Sequence, residues 1–472
     1  MKNMTLSNIA KACNGTLYNT GCEDEVCGVV IDSRLVKKGY LFIATKGMRV
    51  DGHDYINVAI EQGAIAVVCE RIPSNKTIPY ILVSDSLLAL KKIATWYRMQ
   101  LTIPVVGITG SVGKTSTKEF VSSVLSQRYK VLKTEGNYNN EVGLPLTILQ
   151  IRAEHEVAVV EMGISHFGEM HRLSEIAKPD YCLFTNIGQS HLENLGSRKG
   201  ILKAKSEIFD FMNEEGMVIL NGDDNMLSTI HKVKGKSPIR YGLKNDNEVY
   251  ADNINIKGLL GSSCDIHIKD KTLHVNIPMP GNHMILNALA AASIGMILGL
   301  TNSKIKNGIE SVQPLSGRNN IISHRRWTII DDCYNANPVS MKAAIDLLDM
   351  SDTRKVAILG DMGELGSTEN NLHKEIGTYV ASKDLDIIIF VGRLSYHMLE
   401  GAIESLNESH KNKSNNLDYQ HGRDLISERL YYFEKMDSLK SSLATILKDG
   451  DTILVKASHF MDFDQIVKAL LN

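Results

Sequence analysis

The segment Thr109-Gly110-Ser111-Val112-Gly113-Lys114-Thr115-Ser116 constrains this chain more than any other. It follows the apolar run Ile103–Ile108, which reads as a strand. It opens a stretch in which Phe120, Val121, Val124 and Leu125 recur at helical spacing. A glycine-rich turn between a strand and a helix is the setting of a phosphate loop. Glycines let backbone amides turn inward around phosphate oxygens, and the helix N-terminus adds positive dipole charge. In that setting Lys114 reaches the β and γ phosphates, and the Thr115 hydroxyl holds magnesium. The spacing departs from the common GxxxxGK[ST] pattern. Ile108 stands where the first glycine belongs, and the glycines are Gly107, Gly110 and Gly113. The Gly-Lys-Thr-Ser core in this context still points to nucleotide binding; the plain alternative is a turn that binds nothing. A GTPase is disfavoured, because the nearest approach to a guanine-reading NKxD sequence, Asn412-Lys413-Ser414-Asn415, lacks the aspartate.

Around the loop, strand and helix patterns alternate, which argues for an α/β fold with parallel sheets covered by helices. The 472 residues suggest about three domains. Residues 1–98 carry the short strands of Gly28–Arg34 and Gly39–Thr45, then a helix and the strand Ala64–Cys69. Residues 99–315 hold the phosphate loop and the strands Val157–Glu161, Tyr181–Thr185 and Met217–Leu220. Residues 316–472 repeat the alternation with Trp327–Asp331, Val356–Leu359, Ile387–Val391 and Thr452–Val455. The stretch Gln313–Gly317 reads as the hinge before the third block, and the polar patch Asn407–Asn416 as a surface loop.

The formal charge of −2, with both signs interspersed, offers no basic stripe for nucleic acid. Seven scattered cysteines (Cys13, Cys22, Cys27, Cys69, Cys182, Cys264 and Cys333) without CxxC spacing suit free thiols in a reducing compartment. The N-terminus lacks the apolar core of a signal peptide. The longest apolar run, Ala288–Leu300, is too short to span a bilayer and is broken by Gly295 and Gly299. A soluble cytoplasmic protein without membrane insertion is expected.

Two further residues fall where ligands bind in doubly wound sheets, beyond the carboxyl ends of strands. Glu161 closes an apolar strand, and His191 follows another in Asn186–Glu193. Either could lie near a phosphate-bound magnesium; equally, Glu161 could be an ion-paired carboxylate and His191 a satisfied loop histidine. Magnesium prefers oxygen, which makes histidine an unusual ligand. Lys205 is an ordinary solvated lysine on this evidence.

Taken together, several segments resemble the Mur ligase family over nearly the whole chain. In the first block they are Asp32-Ser33-Arg34, Phe42–Gly47 and Asp51–Tyr55. In the second they are the phosphate loop, Gly136–Glu141, Glu161–Met170, the His191 segment, and Gly281-Asn282-His283 with Asn287. In the third they are Gly317-Arg318, Asp331–Pro338 and Leu359–Gly366. The resemblance implies a small UDP-binding domain, a central ATP-binding domain with the phosphate loop, and a Rossmann-like C-terminal domain. It implies ATP and Mg2+ as cofactors. By the same resemblance, Lys205 matches the family's carbamylated lysine, while Glu161 and His191 match its metal positions together with Thr115. Asn282, His283 and Asn287 match the adenine-side segment, and Arg318 and Asp332 match groups that reach ATP phosphate and ribose. Ser33, Arg34, Asn139, Asn335 and Asn337 would bind substrate. The run Tyr334–Pro338 is similar to the branch that adds D-alanyl-D-alanine to a UDP-linked muramoyl tripeptide through an acyl phosphate, giving the peptidoglycan pentapeptide precursor. A monomer is expected. The rivals are a folate or polyglutamate ligase of the same fold and a nucleotide-gated binding protein that ligates nothing. Two departures stand out. Met284 replaces the usual asparagine after His283. Lys456-Ala457-Ser458-His459 stands where Lys-Gly-Ser-Arg is usual, so that segment is assigned no catalytic role.

Overall fold

A computed structural model describes residues 1–19, 25–47, 50–75, 78–413 and 428–471. Three sheets form in chain order. The first runs Thr16–Tyr18, Tyr80–Leu82, Ala64–Cys69, Tyr40–Ile43, Gly28–Val30; only its Thr16–Tyr18 edge is antiparallel. Ala64–Cys69 is apolar at every position, as a strand covered on both faces must be.

The second sheet centres on Val105–Thr109, flanked by Val157–Glu161 and Tyr181–Phe184, all parallel. It continues through Met217–Asn221, Ile239–Gly242 and Val249–Ile256. The expected parallel sheet is incomplete as a description here: Ser262–Ile268 and Lys271–Ile277 add two antiparallel strands at the edge. Lys271–Ile277 buries Leu273, Val275 and Ile277 and exposes His274 and Asn276. Such alternation suits an antiparallel strand with one wet face, and a tight turn suffices to join it to its neighbour.

The third sheet runs Asn320–Ser323, Thr328–Asp331, Thr452–Lys456, Lys355–Gly360, Ile387–Val391, Leu430–Phe433, and all but its first pairing are parallel. Ile330 and Ile329 face separate apolar clusters on its two sides. The polar patch expected as a loop is helical through Lys413, as part of the helix Ser395–Lys413; positions 414–416 lie outside the described residues, as does Cys22. Among the described residues, no helix is long and apolar enough to cross a membrane.

The first and second domains share one apolar cluster, which takes in Ile43 and Val68, then Ile93, Ala94 and Tyr97 of the helix Ser86–Arg98, then Leu144, Ile148 and Ile176. Polar bonds fix the same seam. The Tyr97 hydroxyl donates to the Ile151 carbonyl at 2.6 Å, and buried Arg98 donates to the Ala177 and Lys178 carbonyls and to Asp180. Arg98 thereby caps the end of the helix Glu169–Ala177.

Candidate active site

The sheets place the phosphate loop at the carboxyl end of the central strand, at the mouth of a cavity of about 850 Å³ between the second and third domains. The loop is held from below. Ser111 N–H donates to the Asn186 carbonyl at 2.9 Å, and the Thr185 hydroxyl to the Val112 carbonyl at 2.6 Å. Gly110 has φ +148°, and a Cβ there would lie 1.9 Å from Thr185 Oγ1, so glycine is required. Gly113, at φ +85°, precedes the helix Lys114–Ser126. Ser111 through Ser116 line the cavity, whereas Thr109 and Gly110 are not part of its lining.

Lys114 opens that helix and donates from Nζ to the Gly110 carbonyl at 2.9 Å. Burial pulls its pKa down; Glu161 and Glu364 oppose that shift, while Arg318 adds to it. Glu161 is buried at its strand end. Its Oε2 accepts from Thr115 Oγ1 at 2.8 Å and its Oε1 from Asn139 Nδ2 at 2.9 Å. Lys205 lies behind the cavity wall, fully buried, whereas Lys203 on the same helix, Arg198–Ser206, is exposed. The solvated lysine expected from composition alone is thus corrected: burial drives the Lys205 pKa well down, Lys114 lowers it further, and Glu161 resists.

His191 takes a left-handed conformation, φ +58°, at the start of Leu192–Leu195. Its Nδ1 lies 2.8 Å from Glu364 Oε2 and 3.3 Å from Ser165 Oγ, so this nitrogen faces the third domain. Among the described residues, no group of three or more His, Cys, Asp or Glu side chains is placed to hold a metal. Thr115 Oγ1 and the Glu161 carboxylate nevertheless supply the oxygen donors magnesium prefers, and that ion commonly completes its shell with water and phosphate oxygens.

The third domain supplies the opposite wall. Arg318 lies over the Tyr334 ring at 3.9 Å, and Tyr334 stacks with His459 at 5.3 Å between centroids. Lys456, assigned no role from sequence, lines the cavity; its Nζ donates to Asp332 Oδ2 at 2.5 Å and to the Asn335 carbonyl at 3.0 Å. The signal was present: Lys456 ends a buried parallel strand, where ligands of such sheets bind. Asn337 lines the cavity but spends its side chain capping the helix Pro338–Asp349, accepting from Ser340 N–H at 2.9 Å. Asn335 Oδ1 bonds the Ala336 amide.

On the second-domain side, Asn287 Oδ1 accepts from Thr117 Oγ1 at 2.8 Å and His283 lines the cavity, but Asn282 does not. Met284 points into the core and contacts Asn287 through sulfur. Ser33 and Arg34 also lie outside the cavity, in the first domain. Ser33 is buried, and the Arg34 side chain is 85% exposed and paired with Asp32.

A strand, glycine-rich loop and helix that face an arginine, a lysine and an aspartate across a cleft suit a nucleotide-dependent, phosphoryl-transferring enzyme of the three-domain type. The chain belongs to the Mur ligase family. Its residues 25–95 match the model "Mur ligase family, catalytic domain", residues 108–295 the "Mur ligase middle domain" and residues 317–459 the "Mur ligase, glutamate ligase domain". It is 37% identical to the UDP-N-acetylmuramoyl-tripeptide–D-alanyl-D-alanine ligase of Bacillus subtilis, over 99% of this chain and 98% of that protein. The Escherichia coli ligase of the same name is 36% identical over 84% of this chain and 87% of its own length. In structure it is similar to MurF from Acinetobacter baumannii, with a TM-score of 0.87 and 30% identity over 99% of this chain and 98% of that one. MurF of Thermotoga maritima in complex with ADP gives 0.78 and 28%, over 94% and 97%. The folylpolyglutamate synthase of Mycobacterium tuberculosis, at 15% identity and TM-score 0.59 over 80% of this chain and 94% of that one, shares the fold alone. The protein is therefore an ATP-dependent ligase.

Proposed function

We propose that the protein joins D-alanyl-D-alanine to a UDP-linked muramoyl tripeptide at the expense of ATP, giving the pentapeptide precursor of peptidoglycan. The observation that carries this reading is the near-full-length match to relatives of that activity, over 99% of the chain. The Tyr334–Asn337 wall facing the phosphate loop agrees with it. We take the domains to divide near residues 98 and 315, and the protein to act as a cytoplasmic monomer. The six cysteines among the described residues are free, which supports a reducing compartment.

In this reading the tripeptide's terminal carboxylate attacks the γ-phosphorus of ATP, forming an acyl phosphate and releasing ADP. Lys114 and Arg318 face the transferring phosphoryl group from opposite walls and stabilise its charge. Thr115 and Glu161 would hold magnesium, with His191 and Lys205 beside them by resemblance. The ion would neutralise charge on the β and γ phosphates. The dipeptide amine then attacks the acyl carbon, and phosphate leaves. Holding the reactants together in one cleft is worth up to about 7–11 kcal/mol of barrier. Closure of the third domain excludes water from the acyl phosphate.

The test is a phosphate-release assay with UDP-linked peptides that carry lysine or diaminopimelate third. Release that requires both a tripeptide substrate and D-alanyl-D-alanine is expected. Release with a folate substrate and glutamate instead, or with nucleotide alone, would overturn the proposal.

A further inference from the structure

One buried polar atom in the cleft stands apart from the machinery above. Asn319 lines the cavity, is 9% exposed, and takes the left-handed conformation at φ +49°. Its backbone N–H donates to Asp332 Oδ1 at 3.1 Å, and its Nδ2 lies 2.9 Å from His283 Nε2. Its carboxamide oxygen Oδ1 has no hydrogen-bond partner among the described residues. A buried carbonyl oxygen without a donor has lost its water and gained nothing in exchange.

We infer that Asn319 is a nucleotide-specificity residue whose Oδ1 accepts a hydrogen bond from a donor on the nucleoside of bound ATP. The amide is oriented toward His283. Nδ2 faces His283 Nε2 at 2.9 Å, the arrangement in which the ring carries its proton on Nδ1 and Nε2 accepts, and Oδ1 points away without a donor. The position follows from the phosphate loop. His283 begins the helix that also carries Asn287, and Asn287 is bonded to Thr117, two residues past Thr115. Phosphates held on the loop therefore place the nucleoside toward His283 and Asn319.

The donor follows from chemistry. Ionised phosphates accept hydrogen bonds and do not donate them, whereas the adenine amino group and the ribose hydroxyls donate. Asp332, the neighbouring acceptor, already takes Asn319 N–H on one oxygen and Lys456 on the other. Each Asp332 oxygen can accept once more, but Asn319 Oδ1 is the buried acceptor of this corner that has no donor among the described residues. The inference rests on ATP binding in this cleft.

The experiment measures Kd of the full-length protein for ATP, ITP, 2′-deoxy-ATP and 3′-deoxy-ATP, by calorimetry and without ligation. Loss of the contacted donor should weaken binding of one analogue about tenfold in the wild type. Asn319→Gly, which suits the left-handed backbone, should weaken ATP by a similar factor and erase that preference. Asn319→Asp, which keeps an acceptor oxygen, should retain it. The analogue that loses affinity identifies the donor as amino group or hydroxyl. Equal binding of all four by the wild type, or an unchanged preference in Asn319→Gly, overturns the inference without needing a second variant to fold. Failure of the wild type to bind ATP at all would instead overturn the nucleotide reading of the cleft.

Discussion

The ring Nδ1 of His191 lies 2.8 Å from Oε2 of Glu364, and this contact joins the second domain to the third. Glu364 is held for it. Its loop is fixed by Asp361, which accepts from Ser395 N–H and Oγ at 2.7 Å each, and by Met362 N–H, which donates to buried His373 Nε2 at 2.9 Å. The bond from His191 keeps the Glu364 carboxyl below the usual carboxylate range, although burial works against it. With the Glu364 side chain 60% exposed, the pair contributes only about 0–1 kcal/mol to stability. Glu364→Gln should therefore leave the melting temperature near wild type while lowering kcat several-fold, because closure becomes less favourable. An unchanged kcat at saturating substrates would remove this contact from the closing movement.

Lys205 and Lys203 share a helix and should behave oppositely. A lysine amine with the ordinary pKa near 10.4 is about 0.04% neutral at pH 7, and carbon dioxide reacts only with the neutral amine. Burial of Lys205 enlarges the reactive fraction. Lys205→Ala should cost more than about a hundredfold in kcat, and Lys203→Ala little. Protein equilibrated with 13C-bicarbonate should show a carbamate carbon resonance that Lys205→Ala lacks. Equal losses in the two variants, with no such resonance in the wild type, would show Lys205 to be an unmodified buried lysine.

Arg34 separates the substrates. Its guanidinium is mostly in water and outside the cavity, tied to Asp32 at 2.6 Å. Arg34→Ala should raise the KM for the UDP-linked substrate about tenfold and leave that for ATP within twofold. Parallel rises in both constants would mean that the substitution unsettles the domain and touches no substrate.

Glu141 gives the seam between the first two domains a pH dependence. Burial alone would raise its pKa, but Arg172 and Lys91 overcome that and leave it lowered. A carboxylate lowered on folding contributes stability that is complete above its unfolded pKa, near 4.3, and is lost as pH falls through the lower folded value. The stability difference between wild type and Glu141→Gln, from urea unfolding, should be constant from pH 8 to about 5.5 and shrink below about 4.3. A difference that grows on acidification contradicts the assignment.

The parts of the fold legible in the sequence were those with local signals. Val157–Glu161 and Ile387–Val391 are apolar at almost every position, as strands covered on both faces are, and their limits come directly from that. The hairpin Ser262–Ile277 was missed although Lys271–Ile277 alternates cleanly, because its neighbours suggested a parallel pattern. In the site, the strand, glycine turn and helix that carry Lys114 could be read because they are contiguous in the chain. Lys456 and Asn319 could not, since what distinguishes them is a partner far along the chain: Asp332 for one, His283 for the other. The burial of Lys205 is a tertiary fact that no local pattern carries.

The apolar cluster that crosses residue 98 without a break has a consequence for synthesis on the ribosome. Helix Ser86–Arg98 packs on the first domain's own helix Leu6–Cys13 and also on the helices Gly143–Ile148 and Glu169–Ala177, so the face toward the latter two stays open until they have emerged. At roughly 5–20 residues per second, the nascent first domain waits about 4–16 s with that face uncovered. The third domain builds its two clusters from its own side chains, with Leu259 of the second domain packed against one of them and already made. Chaperone demand should accordingly peak early in translation, before the phosphate loop's sheet is complete, and fall away as the last third is made.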